Sequence, residues 1–338
     1  MGRMAEPPLM FFHMQAIVVH ALGGPEVLAL QAHPTPEPGP GEVLVRLHAV
    51  GVNFSDTERR RGVYDPPRLP WIPGNEAAGI VEGLGTGVDP VWLGRRVAFW
   101  APRTSGTYAE YAAAPAATLF ALGDDLAFSV GAALPVQGLT AYGLSHVATA
   151  LTPGQTAVVH AAAGGVGALL VQLLQKRGVR VFGTASTPAK RELVRAFGAA
   201  PLPYGPSLPD LILDATGGRG VDAVFDSVGQ ATRAESFAVL GRYGHLAYFG
   251  EASGPPAPID LEELYARCLR VSCFWLGADP PERWDTARRE LQEWVADGTL
   301  RITVGQIFPL HQASEAHRQL ESRETHGKLI LVPGAGRM

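Results

Sequence analysis

The sequence predicts an α/β protein in two parts: a β-rich portion, then a doubly wound parallel sheet. Three observations carry this. Up to about residue 133, short β-type runs are punctuated by Gly and Pro. From Ala133 onward, β-branched runs alternate with helical patterns, the signature of parallel strands joined by crossover helices. The 338 residues, 46% of them hydrophobic, suffice for two domains of about 100–200 residues each and exclude a disordered chain.

In chain order, residues 15–19 and 42–47 read as strands. The stretch between them carries Pro34, Pro36, Pro38 and Pro40, so it is a surface loop. Residues 74–97 repeat the pattern of short β runs and glycine turns. Residues 156–160 form a buried strand ending in His160, read as a packed core histidine. An apolar helix follows over 166–176, closed by Gly178. After a strand at 179–182, a helix opens with Thr187 as cap and Pro188 in its first turn, and ends at Gly198. Strands at 221–226 and 245–249 flank a helix at 230–240. An amphipathic helix over 284–297 carries Trp284 and Trp294 in phase, as core. A strand near 300–307, a helix at 313–320 and a strand at 329–332 complete the chain.

The net charge of −4 and the lack of a basic run exclude nucleic acid and anionic membranes as expected partners. No apolar stretch reaches the ~18 residues of a membrane span. Residues 1–13 are expected to be a disordered N-terminal extension, their apolar patch being too short for a signal peptide. Two cysteines, Cys268 and Cys273, make neither a disulfide framework nor a CxxC pair, which points to a reducing, cytoplasmic location.

The sharpest local feature is Ala161-Ala162-Ala163-Gly164-Gly165-Val166-Gly167 between a strand and a helix. Small residues there let the backbone approach a pyrophosphate, and free N–H groups at the helix start bind the anion. The next strand ends in Gly183-Thr184-Ala185-Ser186, without the carboxylate that usually receives the ribose hydroxyls of NAD. Lys190 and Arg191 follow. A cation with a Ser hydroxyl suits a 2′-phosphate and hence NADPH; the competing reading makes both cations solvated helix-surface residues.

With these motifs in order, the chain resembles the zinc-independent, zeta-crystallin-like quinone oxidoreductases of the medium-chain dehydrogenase/reductase superfamily. The resemblance is carried by Gly51-Val52-Asn53-Phe54-Ser55-Asp56, by residues 73–81, by Gln137-Gly138-Leu139-Thr140-Ala141-Tyr142, by the glycine loop, by Asp226-Ser227-Val228-Gly229 and by Gly327-Lys328. It implies a discontinuous GroES-like, partly open β-barrel domain over 14–133 and 277–333, and a Rossmann NADP-binding domain over 134–276. It also implies a homodimer paired through an apolar strand at 269–276, whose residues Phe274-Trp275-Leu276 can serve as substrate wall, dimer surface or both.

The resemblance places Asn53 beside the nicotinamide, its amide donating to the cofactor or to the acceptor oxygen. Thr140 and Gln137 would line the same cleft. Gly164, Gly165, Val166 and Gly167 would take the pyrophosphate, and Ser186, Lys190 and Tyr204 would surround the adenosine phosphate. Ser227, Gly229, Phe249, Gly250 and Lys328 would complete the cofactor groove. Metal-dependent relatives have Cys in place of Asn53 and His in place of Asn75; amides are poor zinc ligands, and Glu76 alone is not a site, so no metal is expected. Without a metal, a quinone or a conjugated enone is the better acceptor, since its charge spreads through the π system. Reduction of 2-alkenals or enoyl thioesters is the alternative activity, and non-catalytic NADPH binding, as in a crystallin, is the alternative of another class. Some relatives carry a Tyr where this chain has Glu58; beside Arg59-Arg60-Arg61, Glu58 is expected on a solvated, ion-paired helix face.

Overall fold

The computed structural model describes residues 13–101, 106–255 and 257–334. Residues 1–12 of the expected extension lie outside the described residues. His13, assigned to that extension, instead opens the first strand, because it pairs with Pro34 across a hairpin.

Strands β1 (His13–Val18) and β2 (Ala29–Pro34) form that antiparallel hairpin. The proline-rich segment then leads into β3 (Glu42–Val52), which runs well beyond the expected residue 47. It is longer because it is central: β4 (Glu76–Leu84) pairs along one side of it. The helix α1 (Phe54–Arg61) lies between β3 and β4 in the chain. Strands β5 (Arg96–Trp100), β6 (Tyr111–Pro115) and β7 (Leu119–Ala121) extend the antiparallel sheet. Inward-facing Val43, Val45, Ala77, Val81, Val97 and Phe99 are fully buried beneath it.

Short helices α2 (Phe128–Ala132) and α3 (Pro135–Tyr142) lead into the second sheet. There β8 (Thr156–Val159), α4 (Gly165–Lys176), β9 (Arg180–Thr184), α5 (Pro188–Ala196), β10 (Ala200–Leu202), α6 (Leu208–Thr216), β11 (Val221–Asp226), α7 (Arg233–Val239), β12 (Leu240–Tyr248), α8 (Leu261–Arg267) and β13 (Arg270–Cys273) alternate. The six strands are parallel, in the order β10-β9-β8-β11-β12-β13. The order reverses direction on either side of β8, the switch point where α/β sheets place their ligands. Local signals set the helix boundaries as expected: the Thr187 hydroxyl accepts the Lys190 N–H at 3.2 Å and Pro188 begins α5.

The chain then returns to the first sheet. After α9 (Asp285–Ala296), β14 (Val304–Pro309), α10 (Ala313–Glu321) and β15 (Lys328–Val332) follow, and the sheet reads β14-β15-β3-β4-β5-β7 with β6 beside β3. Three expectations shift here. The strand near residue 300 starts only at Val304, because the buried Leu300 closes the end of α9 by donating its N–H to Trp294 O. The strand over 269–276 keeps only Arg270–Cys273; beyond it the Phe274 ring turns inward, edge-on to Trp284. Trp284 is core but not on α9: it ends the 3-10 turn Pro281–Trp284 that precedes the helix.

Candidate active site

A cleft of about 1330 Å³ runs along the switch point and is lined from both sheets. One end is made of backbone. After β8 the chain turns through Ala161–Gly164 and enters α4, whose first N–H groups have no carbonyl one turn earlier to meet. Gly164, Gly165, Val166 and Gly167 all line the cleft. A Cβ on Gly167 would strike the Ala161 carbonyl, and one on Gly165 would overlap the Gln137 side chain, so the turn closes tightly only with glycine. This exposed helix start is a cradle that fits a dinucleotide pyrophosphate.

Ser186, Lys190 and Tyr204 line the same end. The Tyr204 hydroxyl accepts the Ala161 N–H at 2.7 Å, and its ring stacks on His160 with centroids 5.9 Å apart. The Lys190 ammonium donates to Arg323 O at 2.6 Å, and Arg323 in turn donates to Ala252 O at 2.7 Å. Arg323 thus joins the cationic rim, a residue that no local motif in the sequence marks out. No carboxylate stands at the end of β9. His160 is fully buried between Thr184 and Ser236, and burial lowers its pKa, so it is a neutral core group.

Ser227, Phe249 and Gly250 line the cleft, and Gly229 lies behind it. Its N–H is bound to the Asp226 carboxylate at 3.1 Å. Its φ of 91° serves a turn in which a Cβ would meet Gly254 O. Gly229 shapes the loop that carries Ser227 rather than touching the cleft.

The other end is made of side chains. Asn53 follows β3, Glu76 opens β4 and Lys328 opens β15; the register sets Val52 against Leu329 and Val50 against Ala77, so the three meet. Lys328 Nζ donates to Asn53 Oδ1 at 2.7 Å and pairs with Glu76 Oε1. Asn53 Nδ2 donates to Glu76 Oε1 at 2.9 Å, and Glu76 Oε2 accepts the Val136 N–H at the start of α3 at 2.7 Å. Lys328 is 1% and Glu76 0% exposed. The pair fixes the Asn53 amide: its carbonyl faces the cation and one N–H faces the anion, which leaves its second N–H as the free donor. Gln137, next to Val136, and Thr140, about one helical turn further along α3, complete this wall.

Helix α1 separates two environments. On its inner face Asp56, Thr57 and Arg60 are fully buried. The Asp56 carboxylate accepts from Asn53 N at 2.9 Å, Tyr108 OH at 3.3 Å and Asn75 Nδ2 at 3.4 Å. Tyr108 meets His317 Nε2 at 2.9 Å, His317 Nδ1 meets Arg60 at 3.4 Å, and Arg60 pairs with Glu321 at 2.5 Å. Burial raises Asp56 to about 6 despite the Asn53 bond and the Lys328 charge that oppose it. Burial, with the Arg60 charge beside it, pushes His317 down to about 3. This chain anchors the start of α1, and with it Asn53, from α10.

The outer face of α1 turns Phe54, Ser55, Glu58 and Arg59 to the cleft. Here the expectation for Glu58 fails. The three arginines pair elsewhere, Arg59 with Asp65 and Arg60 and Arg61 with Glu321. Glu58 is half-buried in the cleft wall, and desolvation raises its pKa. The reason is helical phase: the run of charges straddles both faces of α1 instead of lying on one.

Among the described residues no group of three His, Cys, Asp or Glu side chains is placed to hold a metal ion, and no helix is long and apolar enough to cross a membrane. Residues 39–124 match the family model of the alcohol dehydrogenase GroES-like domain, and residues 197–331 that of zinc-binding dehydrogenases. A probable quinone oxidoreductase of Schizosaccharomyces pombe is 39% identical over 94% of this chain and 96% of its own. A mycobacterial protein solved with NADPH superposes with a TM-score of 0.90 at 38% identity, covering 95% of this chain and all of that one. The Escherichia coli quinone oxidoreductase, also solved with NADPH, gives 0.87 at 34% identity, with 94% and 100% coverage.

Proposed function

The chain belongs to the quinone oxidoreductase family of the medium-chain dehydrogenases/reductases, and we propose that it reduces quinones and conjugated enones with NADPH and without a catalytic metal. The observation that carries this reading is a single cleft with an anion-binding helix start at one end and the clamped Asn53 amide at the other. NADPH supplies the hydride. The first N–H groups of α4 hold its pyrophosphate, while Ser186, Lys190, Tyr204 and Arg323 face its 2′-phosphate. Gln137 and Thr140 position the acceptor against the nicotinamide, and the free Asn53 N–H donates to the acceptor oxygen as negative charge develops there.

A metal has no place in this wall. Glu76 spends both oxygens on Lys328, Asn53 and Val136 N, and a buried ammonium already neutralises it. A conjugated acceptor needs no stronger Lewis acid. We assign residues 14–133 and 277–333 to the catalytic domain and 134–276 to the nucleotide domain. The free edge of β13, with Trp275 half-exposed beside it, supports a homodimer through that strand. Two exposed, unpaired thiols fit a cytoplasmic location.

The test is NADPH oxidation, before and after chelation, against a quinone, a 2-alkenal, an enoyl thioester and an aldehyde. Turnover of the quinone that survives chelation is the expected result. Turnover of the aldehyde alone, or loss on chelation, would overturn the reading. No turnover with any acceptor would leave a crystallin-like NADPH-binding protein.

A further inference from the structure

The reduction needs a proton as well as a hydride, and several ionisable groups near the cleft are committed elsewhere. The Lys328 ammonium is committed to Asn53 and Glu76. Asp56 lies on the buried face of α1, surrounded by three donors. The Tyr248 hydroxyl is buried near Gly229, and burial with nearby carboxylates pushes its pKa well up. Lys190 sits at the adenosine end.

Glu58 differs from all of these. It stands on the cleft face of α1, five residues past Asn53 and so about 7.5 Å along the helix axis. Its carboxyl has no hydrogen bond or ion pair among the described residues. The charges that act on it are Arg61 and Glu251. On its own helix, Arg59 is held by Asp65 and Arg61 faces Glu321. From α10, Glu321 is taken by Arg60. Across the cleft stand Tyr248, the last residue of β12, and Glu251 just beyond that strand. Burial and Glu251 favour its protonated form, and Arg61 opposes.

We infer that Glu58 is the general acid of this enzyme, its carboxyl giving a proton to the oxygen of a bound quinone. The inference rests on the quinone reductase reading above. As hydride adds to the conjugated acceptor, the electron pair of a carbonyl π bond moves onto its oxygen. The Glu58 O–H bond breaks while a new O–H bond forms at that oxygen, and the resulting carboxylate regains its proton from solvent at the cleft mouth. One hydride and one proton are consumed for each acceptor reduced.

Two measurements test this on the full chain. Infrared titration, wild type minus Glu58→Gln, should show a protonated carboxyl band that persists above the ordinary glutamate range; the substrate-free protein suffices. The kcat/KM for 1,4-benzoquinone should fall as pH rises through the same value, because the acid form is the active one. Glu58→Gln should lower it at least tenfold at the acid limit and flatten that profile. Glu58→Asp should restore the titration, and NADPH affinity, read by fluorescence, should stay at the wild-type value in both variants. A Glu58→Gln enzyme with wild-type rate and profile overturns the inference while leaving the function intact, and so does a carboxyl band that titrates in the ordinary range. A wild type that binds NADPH but reduces no quinone overturns the functional reading itself, and this inference with it.

Discussion

At its phosphate end the cleft is walled by backbone drawn from one short stretch, residues 161–167, with a rim of flexible cations. At its other end side chains predominate, and they come from distant parts of the chain: Asn53 meets Glu76 across 23 residues and Lys328 across 275. The first end binds through N–H groups that any sequence of small residues would supply, and it tolerates change at its rim. The second depends on opposite charges held in a dry site, where losing one partner strands the other. The two ends should therefore fail differently when mutated.

The largest effect is expected at the buried pair. Lys328→Met leaves Glu76 charged and without its counterion, which should destabilise the fold by about 3–5 kcal/mol in chemical denaturation. Adding Glu76→Gln should recover most of that loss. If the single substitution is silent, the side-chain end is not the rigid one.

The anchoring chain behind α1 offers a second probe. Burial sets His317 at about 3, far below its ordinary 6.5. The unfolded chain therefore takes up a proton that the native state refuses, so this group's contribution is complete above 6.5 and fades as pH falls towards 3. Wild-type stability relative to His317→Gln should shrink by about 1.4 kcal/mol for each unit below 6.5. Reading the difference between the two proteins removes the opposite contribution of Asp56, whose raised value favours the native state in acid. A difference that does not change with pH would mean that His317 is protonated in place.

Asn53→Ala removes the free donor but leaves Lys328 and Glu76 paired. It should lower kcat/KM for a quinone by about 2 kcal/mol, less than the loss of a donor to a localised oxyanion, since a conjugated acceptor needs less help. A larger loss of stability than of activity would recast Asn53 as a structural residue.

The smallest effect belongs to the rim. Lys190→Ala should raise KM for NADPH by about 1 kcal/mol equivalent, because the contact is partly solvated, and should leave KM for NADH nearly unchanged. Equal weakening for both cofactors would show that Lys190 holds the Arg323 segment rather than the 2′-phosphate.

The same contrast explains what could be read in advance. The phosphate end was legible because its signals are local: Gly164 to Gly167 between a strand and a helix, Thr187 and Pro188 capping the next helix, and no carboxylate at 183–186. Arg323 escaped notice because its place at the rim is made by a backbone contact from Lys190, 133 residues away in sequence. Sequence alone does not say whether Gly229 admits a ligand or only bends the chain, because a glycine in a turn looks the same in both cases. Glu58 was misjudged because a charge run says nothing about which side of a short helix each charge takes.

By itself, the sequence determined the two-part α/β architecture and the nucleotide loop, since periodicity, caps and small residues act over a few positions; the return of the last strands to the first sheet was implied only by the family resemblance. Only the tertiary structure decided that Lys328 and Glu76 clamp Asn53, that Asp56 is tied through Tyr108 and His317 to Arg60, and that Glu58 faces the cleft. Those outcomes follow from strand register and helix phase, which bring together residues whose spacing in the chain carries no trace of their contact.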